Sequence, residues 1–129
     1  MPSFTQTYII NTSPNHVWQA LTDPDMLNDW GAGPASMDDA VGTEFELWGG
    51  DIWGKNVEVV ENKKLVQEWY SGEWEVPSIV TFELAGDHKA TTIVLTHHDF
   101  PEAEQTSLEQ GWQDFYIGPM KTFLENSKR

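Results

Sequence analysis

The C-terminal stretch from Thr106 to Asn126 constrains this chain more than any other part. Leu108, Trp112, Phe115, Tyr116, Met120, Phe123 and Leu124 recur at spacings of three and four. That period places them on one side of an α-helix, with Glu109, Gln110, Gln113, Asp114, Lys121 and Glu125 on the other. At about 1.5 Å per residue the helix would run about 30 Å, enough to cross a small domain. Its apolar side is broad and aromatic, so it needs a wide apolar partner. Gly118-Pro119 interrupts the pattern. Proline lacks an N–H, so the carbonyl of Phe115 loses its usual donor, and a kink between Phe115 and Pro119 is expected.

The partner is readable upstream. Phe4 to Asn11 alternates and is rich in β-formers, which predicts a strand. Ser13 is placed to cap a short helix that begins at Pro14, and Asp23 to cap a second over Asp25 to Trp30. Val17, Trp18, Ala20 and Leu21 give the first an inward side, as do Met26, Leu27 and Trp30 for the second. After the loop Gly31-Ala32-Gly33-Pro34, strands are predicted over Glu44 to Trp48, Ile52 to Val60, Leu65 to Ser71, Pro77 to Leu84 and Thr91 to His98. Short turns join them, so the pairing is antiparallel, and the last helix must cover one face. The predicted class is α+β. A curved antiparallel sheet of about six or seven strands packs around a long C-terminal helix, with two short helices after the first strand. A length of 129 residues suits a single domain, 1–129.

Charge and composition remove several function classes. Twenty-one acidic residues face 7 basic ones, a formal net charge of −14. Nucleic acids and anionic membranes are recognised through Lys and Arg, so neither partner is expected. No apolar run reaches the about 18 residues of a membrane span. Cysteine is absent, so neither a disulfide framework nor a thiolate nucleophile exists. Met1 to Gln6 lacks the charged and apolar regions of a secretory leader. These features together predict a cytoplasmic protein.

The sequence resembles the Aha1-like family (activator of Hsp90 ATPase homologue 1-like) of the START/Bet v 1-like (SRPBCC) superfamily. Asn11 to Pro24, with Leu27 and Trp30, is similar to the family's opening segment. Gly42 before Thr43 to Trp48, Gly54 with Val57 to Val60, Lys64 to Trp69, Thr91 to His97, and Gln110-Gly111-Trp112 also match. The resemblance implies a helix-grip fold, often with a cavity between sheet and helix. Superfamily members bind lipids, hormones and other apolar molecules, some act as cyclases, and the eukaryotic namesake binds the Hsp90 chaperone.

Chemistry-bearing residues are sparse. His97 and His98 are neighbours on a strand and point to opposite faces, so they do not grip one metal. His97 should face the helix with Ile93 and Leu95, and His98 solvent. The carboxylates mostly alternate with apolar residues and read as solvated faces. No phosphate loop, nucleophile elbow or metal motif occurs, so no catalytic group, metal or cofactor is expected. Alternation brings Trp69, Phe82, Leu84, Ile93, Leu95 and His97 toward Trp112, Phe115, Tyr116 and Met120. These ten form the expected pocket for a small apolar molecule, with any free space near Trp112 to Tyr116. A co-chaperone-type protein-interaction module and a cyclase- or hydrolase-like enzyme are the alternatives. Oligomeric state is open.

Overall fold

A computed structural model describes residues 2–127. Among these residues six antiparallel strands form one sheet in the order β1-β6-β5-β4-β3-β2. They are β1 (Ser3–Ile10), β2 (Glu44–Leu47), β3 (Ile52–Val60), β4 (Lys64–Ser71), β5 (Ser78–Gly86) and β6 (Thr91–His98). Two helices, α1 (Pro14–Thr22) and α2 (Pro24–Trp30), follow β1. The C-terminal helix comprises α3 (Gln105–Gly111), a π-helical segment (Trp112–Ile117) and α4 (Gly118–Ser127).

Local chemistry sets the element ends. The Ser13 hydroxyl accepts from the His16 N–H at 3.2 Å, with Pro14 opening α1. The Asp23 carboxylate accepts from the Asp25 N–H at 2.8 Å and opens α2. Gly31, in the left-handed region at φ 118°, closes α2.

Strand alternation builds the core. Leu65, Gln67 and Trp69 of β4 are buried, as are Ser78, Val80, Phe82 and Leu84 of β5 and Thr91, Ile93, Leu95 and His97 of β6. The intervening residues of β4 and β6 are half-buried on the outer face, His98 among them. Gly54 stands opposite Trp69 on β4 and beside Phe45 on β2. Having no side chain, it lets the Phe45 and Trp69 rings meet across it, with centroids 6.3 Å apart.

Where a kink between Phe115 and Pro119 was expected, the helix contains a π-helical turn. The Gly118 N–H donates to the carbonyl of Gln113, one residue further back than in an α-helix. A Cβ on Gly118 would lie 2.2 Å from that oxygen, so glycine permits the wide turn. Pro119 needs no carbonyl partner, so it follows this turn at no cost in donors.

The wide turn changes which of its own residues face inward. Phe115, expected to face inward, is 67% exposed, and Ile117, outside the expected stripe, is fully buried. Trp112, Tyr116, Met120 and Leu124 keep their inward places, and Phe123 is only half-buried. Trp48 also differs, lying past the end of β2 with φ at 51° rather than inside a strand.

Candidate functional site

The helix and sheet do not close everywhere. A cleft of about 310 Å³ opens at the helix's N-terminal half. Its sheet side is Trp69 and Ile52, beside the turn that carries Trp48 and Asp51. Its helix side is Ser107, Leu108, Gly111, Trp112, Phe115 and Tyr116. The exposed Phe115 and Asp51 stand at the mouth.

The floor is an aromatic cluster. Trp69 and Trp112 lie with ring centroids 4.8 Å apart, and Trp112 and Tyr116 likewise at 4.8 Å. Phe82 supports both helix residues from below, at 5.7 Å from each ring. Such tilted, edge and near-stacked contacts suit the ring quadrupoles and fix orientation as well as burial.

Hydrogen bonds lock these rings from behind. The Trp112 indole N–H donates to His97 Nδ1 at 3.0 Å. That leaves the other ring nitrogen, Nε2, to donate to the Ser78 hydroxyl at 2.8 Å, and Ser78 donates in turn to the Trp69 carbonyl at 3.1 Å. The chain of bonds needs a neutral imidazole. Burial, with a smaller contribution from the neighbouring His98, lowers the His97 pKa to about 3.

A second chain orients Trp69. Its indole N–H donates to the Gln67 side-chain oxygen at 2.8 Å, and the Gln67 amide donates to Asn56 Oδ1 at 2.9 Å. Asn56 then donates to the carbonyls of Asp38 and Ala40, at 2.9 and 3.2 Å, and so holds the long loop before β2. The Trp48 indole N–H donates to the Gly31 carbonyl at 2.8 Å. All three cleft tryptophans therefore commit their single donor to the protein. The Tyr116 hydroxyl is buried without a hydrogen-bond partner among the described residues, and burial holds its pKa above the ordinary phenol range.

The ten residues expected in the pocket thus divide. Trp69, Trp112, Phe115 and Tyr116 line the cleft, with Phe115 at its rim rather than inside. Phe82 and His97 lie one layer below, in contact with Trp112. Leu84, Ile93, Leu95 and Met120 are core residues outside the cleft lining. Sequence reasoning did not place Trp48, Asp51, Ile52, Ser107 or Gly111 there. Leu108 was available from the helical stripe, but the turn of Trp48 to Asp51 carries no periodic signal. Among the described residues, no group of three or more His, Cys, Asp or Glu is placed to hold a metal ion. No helix among them is long and apolar enough to cross a membrane.

A curved antiparallel sheet gripping a C-terminal helix, with an aromatic cleft where the two part, defines a helix-grip domain. Residues 11–125 match the model of the "Activator of Hsp90 ATPase homolog 1-like protein" family, and the chain belongs to that family. The crystal structure of an HSP90 activator from Plasmodium falciparum has a TM-score of 0.88 at 26% identity, covering 95% of each chain. The Aha1 dimer from Colwellia psychrerythraea shares the fold, with a TM-score of 0.84 at 24% identity and all of both chains covered. The human "Activator of 90 kDa heat shock protein ATPase homolog 1" is 24% identical over 112 residues, 85% of this chain and 33% of its own length. The chain spans about a third of the length of the curated relatives it matches.

Proposed function

We propose that this domain binds a small apolar molecule in the cleft between the sheet and the first half of the C-terminal helix. The cleft itself carries the reading. At about 310 Å³ it lies at the small end of the usual range for small-molecule sites, roughly 300–1,000 Å³. Its floor is apolar, and two hydrogen-bond chains hold its rings in place before any ligand arrives. Such preorganisation lowers the cost of binding.

Indole N–H signals in a nitrogen-15 NMR spectrum test this directly. Titration with a neutral naphthalene dye should move the signals of Trp48, Trp69 and Trp112. Trp53, on the opposite face of the sheet, should stay still. A dye that moves none of the three, or moves Trp53 instead, overturns the reading.

A second reading has its own observation. On the outer face Trp53 and Tyr70 stack nearly parallel, centroids 5.6 Å apart and planes 5° apart, and both remain partly exposed. An aromatic pair on an uncovered sheet face suits a protein partner. The names of the relatives make an Hsp90-type chaperone the partner to try. Under that reading the chaperone moves the Trp53 signal and leaves the cleft signals in place.

A further inference from the structure

The cleft carries information about the charge of its occupant as well as its shape. The Trp48, Trp69 and Trp112 donors are already used inside the protein, so none is left for a ligand's carboxylate or phosphate. Two of the lining residues with polar side chains, Asp51 and Ser107, border this aromatic surface. Asp51 is exposed, and among the described residues its carboxylate has no hydrogen-bond or ion-pair partner. Among the described residues, no Lys, Arg or His lines the cleft. Aromatic faces present the negative side of their quadrupole. The chain as a whole carries a formal charge of −14, which raises the local concentration of cations.

We propose that the occupant of this cleft is a small organic cation, an amine or quaternary ammonium on an apolar, preferably aromatic body. The body lies against Trp69, Trp112 and Tyr116, and the cationic head sits toward Asp51 at the mouth. The inference rests on the reading of the cleft as a ligand site and adds the chemical class of the ligand. A fatty acid or other anionic amphiphile would bring its charge beside Asp51, with no cation among the described lining residues to offset it and only the Ser107 and Tyr116 hydroxyls left as side-chain donors.

Three matched probes separate these cases: naphthylmethylammonium, naphthalenemethanol and naphthoate, titrated calorimetrically at low salt. The cation should bind about ten-fold more tightly than the alcohol, and the anion most weakly of the three. Asp51→Asn should cut the preference for the cation to about two- or three-fold, the part owed to the aromatic faces. Glu83→Gln makes the same charge change on the exposed outer face of β5 and should leave that preference as in wild type. Added salt should shrink the preference in wild type more than in Asp51→Asn.

The alcohol binding as tightly as the cation, with the cleft indole signals still moving, would overturn the cation proposal and leave the cleft reading intact. If none of the three probes moves the Trp48, Trp69 or Trp112 signals, both fall. The probe series alone decides the matter if Asp51→Asn proves poorly behaved.

Discussion

Gly111 gives the cleft its most direct test. It lies at the end of α3 with ordinary helical angles, φ −61° and ψ −38°. It lines the cleft, and the nearest atom to a Cβ built there is Phe115 Cδ2 at 4.0 Å. Nothing in the backbone therefore requires glycine. Gly111→Leu should gain most of the helix-propensity difference between the two residues, about 0.8 kcal/mol. The new side chain would cover part of the apolar floor, so the total gain should be about 1 kcal/mol. For a domain of this size that raises Tm by about 3–5 °C. The same side chain fills the space a ligand needs, and affinity for a naphthalene probe should fall at least about ten-fold, or about 1.4 kcal/mol. Calorimetric melting and probe titration on one preparation give both numbers. A variant that melts higher yet binds the probe as wild type does places the probe elsewhere and refutes the cleft. A variant that melts lower refutes the claim that the space beside Gly111 is open.

Other substitutions probe the supports. Gly118→Ala should behave in the opposite way to Gly111, because its Cβ meets the Gln113 carbonyl at 2.2 Å; urea denaturation should show a loss of about 1–3 kcal/mol. Trp112→Phe leaves the buried His97 Nδ1 without its donor and should cost about 1–3 kcal/mol by the same assay. Phe115→Ala should change stability by no more than about 0.5 kcal/mol while weakening probe binding, since the ring is at the exposed rim. Because the folded pKa of His97 is about 3 against an ordinary 6.5, the unfolded chain binds a proton that the folded chain does not. Its contribution to stability is therefore present above pH 6.5 and is lost on acidification toward pH 3, at up to about 1.4 kcal/mol per pH unit. Denaturation midpoints of wild type and His97→Gln between those limits should differ in slope, and equal slopes would rule out the buried neutral imidazole.

The elements of this fold are written in local signals, and most could be read directly. Ser13-Pro14 and Asp23-Pro24 open helices because a capping oxygen and a preset φ need no distant partner. The alternation along Leu65 to Trp69 and Ile93 to His97 assigns faces because a strand's period is two. The helix stripe was readable at Trp112, Tyr116 and Met120, but its reading failed at Phe115 and Ile117. A period of 3.6 assumes that each N–H bonds four residues back, and the Gly118 N–H bonds five back. Glycine followed by proline does mark the place. The pair is compatible with either a kink or a wide turn, and they send Phe115 in different directions. The turn at Trp48 to Asp51 was less accessible still. Trp48 keeps a positive φ because the Gly31 carbonyl, 17 residues away in sequence, holds its indole N–H. No window along the chain contains that relation.

What a local reading misses here is therefore concentrated in the cleft. Its floor comes from periodic elements, and its mouth from a π-turn and a strained loop residue. The two groups at the mouth, Phe115 and Asp51, both lie beside departures from regular backbone geometry. A regular helical period places Phe115 on the inward stripe with Trp112 and Tyr116, whereas its ring is 67% exposed. The Gly118 that permits the wide turn lies outside the lining, in the same segment that carries Phe115 to the rim. Core and cleft meet in that segment, because within the one wide turn Ile117 is buried while Phe115 stands at the rim.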